Sequence, residues 1–286
     1  MKITFSKITL FVVYLFTCSL IYCQDTTSNK KKVYSLKPAI DIPIIVGGAA
    51  WSAYASTYTY GKPPSSAEEI LSLNSNNINP LDKWAITPYN QSIDKLSYYP
   101  FYAAFPLPFA FFLTGNDMRS DFFKLSLLYM ETMAVTGIFG YSATYFENKY
   151  RPYVYSNGTS LAQKEDGNSK NSFYAGHVEI IATSTFFISA VYASYYPHSK
   201  VKWLFYSLSA AATAGMGYLR LEAGMHFPSD VLLGAGVGTL SGILVPYFHN
   251  HRLIKNPNLC IIPFTNTMAH GISMSYHFNT QPEHSF

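Results

Sequence analysis

An arginine, a histidine and an aspartate lie close together near the end of an apolar chain, in the segment from Arg220 to Asp230. His226 and Asp230 are four residues apart, and Pro228 between them is tolerated only in the first turn of a helix. A helix should therefore begin near Phe227, where Asp230 can reach back to one imidazole nitrogen and hold the other outward. A nucleophilic histidine is oriented in this way, and Arg220 adds a planar cation suited to phosphate oxygens.

This spacing resembles the third signature of the type 2 phosphatidic acid phosphatase superfamily, which also includes vanadium haloperoxidases. That signature is an arginine, five residues, a histidine, three residues and an aspartate, which Arg220, His226 and Asp230 match. The second signature, Pro-Ser-Gly-His, corresponds to the Tyr-Ala-Gly-His sequence at 174–177. Because the signatures occur in the right order beside apolar segments, the resemblance extends over about residues 100–248.

The first signature of the family is a lysine, six residues and Arg-Pro. Arg151 and Pro152 match it, but Thr144 occupies the lysine position. In the second signature Tyr174 and Ala175 replace the proline and the serine. The sequence therefore departs from the family pattern at three positions that precede an arginine or a histidine.

The resemblance implies a catalytic role for three of these residues. His226 would attack phosphorus and become a phosphohistidine, and Asp230 would orient its ring. His177 would act as the general acid that protonates the leaving oxygen. No cofactor and no metal ion are implied for this chemistry.

The resemblance also implies a phosphate-binding set, in which Arg151 and Arg220 hold the oxygens and the Gly176 amide donates a further hydrogen bond. Thr144 removes one cation from this set and Ala175 removes one hydroxyl. Each such loss can cost about 2.7–4 kcal/mol of transition-state stabilisation. A catalytically weakened or inactive member that binds lipid or serves a structural role is therefore the alternative to an active enzyme.

The composition indicates a membrane protein with several helices. Hydrophobic residues make up 49% of the 286 residues and charged residues 13%, whereas soluble proteins have about 25% charged residues. The net charge of +4 and the motifs do not indicate a nucleic-acid partner. We predict an all-α bundle of about six membrane helices, at 39–60, 100–115, 122–146, 178–196, 203–219 and 229–248.

The ends of the chain have separate expected roles. Residues 1–23 resemble a secretory signal peptide, with an uncleaved anchor as the alternative, and residues 24–38 form a polar tether. Residues 39–250 are the expected membrane phosphatase domain. The tail, 251–286, carries two alternating segments that indicate short strands or an irregular end, with no assigned function.

Several features outside the signatures have structural interpretations. Every fourth residue is small at Ser207, Ala211 and Gly215, and again in the stretch 234–242, which favours close helix packing in lipid. The segment 82–96 could be a surface helix, although Pro88 would break it.

Glutamates and histidines outside the signatures also lie within or beside the apolar segments, and we expect no catalytic role for them. Glu131 and Glu179 are expected to be structural or to line a pocket. His198, His249 and His251 lack metal-site spacing and are interpreted as interfacial or surface residues.

The sequence thus predicts an integral-membrane phosphatase that hydrolyses a phosphomonoester or diphosphate on a lipid head group. Its partners would be the lipid phosphate substrate and membrane lipids; the particular lipid and the oligomeric state stay open. Basic residues in the loops opposite the motifs favour a bacterial-type inner membrane with the site facing outward. Six full spans after a cleaved signal would instead place the site inside, so 39–60 does not cross, the signal is retained, or the site faces inward.

Overall fold

The computed structural model describes residues 33–250 and, beyond them, the backbone of two strands, β1 (Leu259–Thr265) and β2 (His270–Tyr276). The strands pair antiparallel, from Leu259 opposite Tyr276 to Thr265 opposite His270. The short strands expected in the tail are therefore confirmed. The proposed signal peptide at 1–23 and most of the proposed tether lie outside the described residues.

Seven helices form the part of the fold that carries the candidate site. They are α1 (Pro38–Tyr60), α2 (Gln91–Ala104), α3 (Leu107–Phe112), α4 (Phe122–Phe146), α5 (Gly176–Tyr195), α6 (Val201–Glu222) and α7 (Pro228–Asn250). Shorter helical turns lie in the connections at Ala67–Ser72, Ser75–Asn77, Pro80–Lys83, Asn116–Ser120, Pro152–Tyr155, Leu161–Glu165 and Gly167–Lys170. The predicted all-α helical bundle is confirmed as the fold class.

Three of the described helices, α4, α5 and α7, are long and apolar enough to cross a membrane. Their lengths of 25, 20 and 23 residues correspond to about 30–38 Å at 1.5 Å per residue. A hydrocarbon core is about 30 Å thick. The chain is accordingly a membrane protein.

Helices α1 and α4 lie side by side and run in the same direction. Gly48 of α1 packs against the backbone of Ala134, and near the helix ends the hydroxyl oxygens of Thr59 and Thr144 are 2.9 Å apart. The chain must therefore return between them. The helices α2 and α3 together make this return. Helix α3 ends at Phe112, which is buried against Phe122 at the start of α4.

The sequence predicted one short helix at 100–115, and the structure corrects this boundary. α2 already begins at Gln91, where the Asn90 side chain accepts a hydrogen bond from the Ile93 amide. The chain then breaks at Phe105 and Pro106 because a proline cannot donate within a helix. No continuous helix covers 82–96, since residues 84–90 separate the turn at Pro80–Lys83 from α2.

The glycines of α7 allow it to pack directly on the backbone of α5. A Cβ atom at Gly234 would lie 2.6 Å from the carbonyl oxygen of Ala175, and one at Gly242 would lie 2.6 Å from that of Thr183. The predicted close packing is thus confirmed for α7. It is wrong for α6, where the face containing Ser207, Ala211 and Gly215 is exposed.

Helix α6 instead buries a neighbouring face that includes Ser209, Thr213 and Met216. It ends at Glu222, and two residues later Gly224 has a φ of +70°, a left-handed conformation that glycine adopts without steric cost. The amide of Met225 then bonds the carbonyl of Arg220 at 3.1 Å. This turn directs the chain from the end of α6 to His226.

Candidate active site

The predicted catalytic and phosphate-binding residues meet at one end of the bundle. Arg151 follows α4, Gly176 and His177 begin α5, Arg220 lies in the last turn of α6, and His226 precedes α7. All five line a single cavity of about 610 Å³. Asp230 is buried behind this cavity and does not line it.

His226 is held in one tautomer by a backbone carbonyl. Its Nδ1 lies 2.7 Å from the carbonyl oxygen of Ser172, and because a carbonyl only accepts, Nδ1 carries the proton. The other nitrogen, Nε2, then has a lone pair. Burial, together with the positive charges of Arg151 and Arg220, holds the pKa of His226 well below its usual value. The ring is therefore neutral at neutral pH.

Asp230 does not contact the imidazole of His226, which corrects the expected direct orientation. Its Oδ2 accepts hydrogen bonds from the Ser172 hydroxyl at 2.7 Å and from the Phe227 amide at 3.1 Å. Asp230 therefore caps the start of α7 and reaches His226 only through Ser172. The direct bond does not form because the carboxylate is turned back toward the helix it caps.

The second oxygen of Asp230 pairs with Lys149, whose Nζ lies 2.8 Å from Oδ1. Lys149 also contacts Asp82 Oδ2 at 3.2 Å and lies over the Phe227 ring. Asp82 in turn accepts from the amide and the hydroxyl of Ser229 at 2.9 and 2.6 Å. These contacts join the segment after α1 to the start of α7.

Arg220 is almost completely buried and lines the cavity. Its Nη1 donates to Asp94 Oδ1 at 2.6 Å and to the Ser97 hydroxyl at 2.8 Å, both on α2. Within the described residues its Nε has no hydrogen-bond partner. The guanidinium is thus fixed at one edge and retains an unused buried donor.

Arg151 is fixed by backbone and amide oxygens. Its Nε and Nη2 donate to the carbonyl and side-chain oxygens of Asn168 at 2.9 and 3.2 Å, and Nη1 donates to the Met225 carbonyl at 3.1 Å. The amide of Tyr153 also bonds the Gly224 carbonyl at 3.1 Å. The loop after α4 is therefore attached to the turn that precedes His226.

His177 packs against two aromatic rings of α2. Phe101 stacks on its ring with centroids 4.2 Å apart, and Tyr98 meets the ring edge-on at 4.7 Å. Its buried Nε2 has no hydrogen-bond partner in the described part of the chain. Because buried polar atoms are normally paired, an unpaired imidazole nitrogen in a cavity indicates a site shaped for a ligand.

The departures from the family pattern have different structural settings. Thr144 lines the cavity, as expected for the position of the missing lysine. Ala175 does not, because its methyl group lies in an apolar cluster with Ala104, Val178 and Met216. Tyr174 donates a hydrogen bond to Glu179 Oε1 at 2.6 Å.

Thr144 and Arg151 do not lie on the same helix. Helix α4 ends at Phe146, and Arg151 lies beyond it in the loop. Lys149 is bound to Asp82 and Asp230 and does not line the cavity. It therefore does not replace the cation missing at position 144.

The sequence did not predict the partners that hold this site. Asp82, Ser172 and Asn168 come from polar connections and Asp94 from the first turn of α2, at distances of up to 126 residues from the residues they bind. Asp82 and Asp94 each follow an asparagine helix cap, but this local pattern does not indicate which distant arginine or serine they bind. Glu179, which was expected to be structural or to line a pocket, does line the cavity.

Comparison with known proteins agrees with the geometry. The family model of the PAP2 superfamily matches residues 125–254. Among solved structures, the chain is similar to a transmembrane PAP2 type phosphatidylglycerolphosphate phosphatase from Bacillus subtilis, with 19% sequence identity and a TM-score of 0.41. The alignment covers 75% of this chain and 98% of that one.

The chain matches no curated protein. The superfamily match nevertheless includes Arg151, His177, Arg220 and His226, which line the cavity, and the buried Asp230. Residues 125–254 of the chain are therefore similar to the PAP2 superfamily.

Proposed function

We propose that this protein is a membrane phosphatase that hydrolyses a phosphomonoester or diphosphate on a lipid head group. The observation that carries the proposal is the pair of unpartnered buried donors, Arg220 Nε and His177 Nε2, beside the neutral ring of His226 in one cavity. A tetrahedral phosphoryl group would give both groups oxygen partners. Both nitrogens lack a hydrogen-bond partner among the residues that the structure describes.

In the proposed first step, a phosphoryl group moves from the lipid oxygen to His226. The Nε2 lone pair attacks phosphorus, the bond to the lipid oxygen breaks, and His177 donates its proton to that oxygen. The Ser172 carbonyl retains the Nδ1 proton, which stabilises the positive charge that develops on the ring. The product is a lipid alcohol, or a lipid monophosphate when the substrate is a diphosphate.

The proposed second step returns the phosphoryl group to water. His177 removes a proton from the attacking water, the water oxygen bonds phosphorus, and the bond to Nε2 breaks, which regenerates His226. Arg151 and Arg220 hold the equatorial oxygens in both steps, where the charge shifts. The start of α5 at Gly176 supplies the partial positive charge of a helix N-terminus.

A lipid substrate is supported by the walls of the cavity away from the histidines. This part is lined by apolar side chains of α1, α2, α3 and α4, including Ile45, Phe105, Phe109, Met130 and Met133. A hydrophobic chain attached to the phosphate would be shielded there from water. A soluble phosphate ester would leave this surface unoccupied.

The alternative is a catalytically inactive PAP2 protein that binds lipid. Thr144 favours it, because a cation expected at the cavity wall is absent. The pairing of Arg220 with Asp94 also favours it, because the carboxylate offsets part of the charge available to phosphate. Under this alternative the protein would retain lipid without releasing phosphate.

Phosphate release from a panel of phosphatidate, phosphatidylglycerophosphate, polyprenyl diphosphate and lipid A would test the proposal with purified protein. We expect release from at least one of these lipids, and its loss in His226→Ala. Removal of a catalytic nucleophile typically costs several orders of magnitude in rate. The exposed His198→Ala variant is the matched control and should retain activity. Wild-type activity in His226→Ala would overturn the mechanism.

A further inference from the structure

We propose that Asp41, Glu131 and His249 form a binding site for one divalent transition-metal ion, best matched by Zn²⁺. The three residues come from the start of α1, from α4 and from the end of α7. One ligand atom of each lies within 4.8 Å of the other two. The site is at the opposite end of the bundle from His226.

The separation of the two sites follows from α7. His226 precedes its first turn and His249 lies in its last, so roughly 30 Å separate them at 1.5 Å per residue. The proposed metal ion could not contact the phosphate group. This inference therefore does not depend on the proposed phosphatase activity.

The tautomer of His249 provides the first argument. Its Nδ1 lies 2.9 Å from the Val245 carbonyl oxygen, so Nδ1 carries a proton and donates it. Metal-binding histidines commonly use one ring nitrogen in this way while the other binds the ion. Here the other nitrogen, Nε2, faces the carboxylates of Asp41 and Glu131.

The distances provide the second argument. His249 Nε2 lies 3.5 Å from Asp41 Oδ1 and 3.2 Å from Glu131 Oε2. Charge-assisted hydrogen bonds are shorter, at about 2.7–2.9 Å. Ligand bonds of about 2.0–2.1 Å to a tetrahedral ion place two ligand atoms roughly 3.3 Å apart. The observed spacing agrees better with two ligands of a shared ion than with direct hydrogen bonds.

Glu131 provides the third argument. Its side chain is buried, and its Oε2 accepts no hydrogen bond in the described part of the chain. Its polar neighbour is the Nε2 of His249 at 3.2 Å, which has no proton to donate in the tautomer fixed by Val245. Asp41 is also buried, and its Oδ2 accepts from the Lys37 amide at 2.5 Å, which leaves Oδ1 for the cluster. Two buried carboxylates need a compensating cation. An ion coordinated by Glu131 Oε2 would satisfy this atom and offset both charges.

The site revises the interpretation of His249 as an interfacial or surface residue. Its side chain is only 13% exposed and faces two carboxylates of other helices. One imidazole and two carboxylates suit Zn²⁺ and neighbouring first-row ions. With three protein ligands, one coordination position remains for water. The ion would connect α1 to α4 and α7.

Metal content provides the direct test. Full-length protein, purified in detergent with a tag that lacks histidine, is incubated with Zn²⁺, dialysed and analysed by mass spectrometry. We expect about one Zn²⁺ per chain in the wild type and near-background content in Glu131→Gln and His249→Gln. The exposed His198→Gln variant should retain the metal. No stoichiometric Zn²⁺ in the wild type, or equal content in all variants, would overturn the proposal.

Spectroscopy of the wild type keeps the test independent of how the variants fold. Co²⁺ loaded in place of Zn²⁺ should show the intense visible absorption of a four-coordinate site, and Zn²⁺ should remove it by competition. The competing explanation is an ion triad with a protonated His249. In that case the wild type would show no such absorption, and ¹⁵N spectra would show both ring nitrogens protonated in protein saturated with Zn²⁺. Either result refutes the metal site.

Discussion

The carbonyl oxygen of Ser172 lies 2.7 Å from Nδ1 of His226 and fixes the tautomer of the proposed nucleophile. The hydroxyl of the same serine donates to Asp230 Oδ2, also at 2.7 Å. Asp230 therefore positions His226 through one intervening residue. The expected motif spacing is present, but the contact it was expected to produce is indirect.

Substitution of Ser172 tests this indirect arrangement. Ser172→Ala keeps the carbonyl and removes the hydroxyl that bonds Asp230. We expect a lower kcat with little change in KM, and a loss of about 1–3 kcal/mol of stability, because a buried carboxylate loses a donor. Thermal unfolding and steady-state kinetics in detergent would measure both.

The companion variant distinguishes two ways in which Asp230 could act. Asp230→Asn should resemble Ser172→Ala in its effect on kcat if the serine transmits the orientation. If Asp230→Asn abolishes turnover while Ser172→Ala is silent, Asp230 contacts the imidazole directly in the working enzyme. The Ser97→Ala variant, which removes the buried hydroxyl that accepts a hydrogen bond from Arg220, serves as a comparison of similar burial.

Restoring the missing cation should strengthen phosphate binding. Thr144 lines the cavity, so Thr144→Lys can bring an ammonium group to the phosphoryl oxygens. We expect kcat/KM to rise, by up to about 10²-fold if the cation acts in the transition state. Thr144→Met, which is long but uncharged, should not produce the rise. Equal behaviour of the two variants would show that charge at this position is unimportant.

A neighbouring lysine is the first residue to test if Thr144→Lys has no effect. Lys62 donates to the Glu147 carbonyl at 3.0 Å, and burial followed by the nearby charge of Lys170 lowers its pKa to about 8. Its ammonium is affected electrostatically by Arg151, so it lies near the phosphate-binding end. Lys149 is a poorer substitute because two carboxylates already hold it.

Restoring the family serine should not help this protein. Ala175 is buried among apolar side chains and does not line the cavity, so the hydroxyl of Ala175→Ser would not reach the phosphate. Position 175 is the N-cap of α5, where a serine hydroxyl can accept from an amide of the first turn. We therefore expect unchanged turnover and no loss of stability. The Ala175→Cys variant, with a similar volume and a weaker donor, is the control. Increased kcat in Ala175→Ser alone would contradict this expectation.

The pKa of His226 gives a spectroscopic prediction. Burial first, and then the charges of Arg151 and Arg220, lower its pKa, so its ring should stay neutral as pH falls below about 6.5, the usual histidine value. The unfolded chain binds this proton and the folded chain does not, so the contribution of His226 to stability decreases as pH falls below that value.

Histidine ¹⁵N spectra would check this prediction. At pH values below about 6.5, the His226 signals should still show a protonated Nδ1 and an unprotonated Nε2. His226→Asn identifies the signals by their disappearance. A His226 ring that titrates at the usual histidine value would refute the proposed environment.

Sidedness remains a prediction, and the structure allows sharper probes for it. Helix α1 packs against α4 from Gly48 to Thr59, although it is not one of the three described helices that are apolar enough to cross a membrane. Asn157 at the site end and His198 at the opposite end are both exposed, whereas Ser156 is buried. Cysteines at 157 and 198 can therefore report the two faces.

The labelling experiment uses a background in which the natural cysteines are replaced; these are Cys18, Cys23 and Cys260. If the site faces outward, an impermeant thiol reagent should label Asn157→Cys and not His198→Cys in intact cells. Permeabilised cells should show labelling of both. The reverse pattern in intact cells would place the catalytic face in the cytoplasm.

The sequence alone determined the all-α fold class and the principal residues of the candidate site. Apolar segments of about 20 residues predict helices because backbone groups must be satisfied within each segment in lipid. The positions of Gly224 and Pro228 follow from local backbone preferences, which act without distant contacts. The resemblance carried by Arg220, His226 and Asp230 rests on spacing within eleven residues.

Only the tertiary structure decided which groups hold these residues. Asp94 meets Arg220 across 126 positions, and Lys149 meets Asp230 across 81. The buried group of Asp41, Glu131 and His249 likewise draws on three helices. Such pairs are set by how helices pack and by the need to compensate buried charge, and neither effect leaves a periodic pattern in the chain.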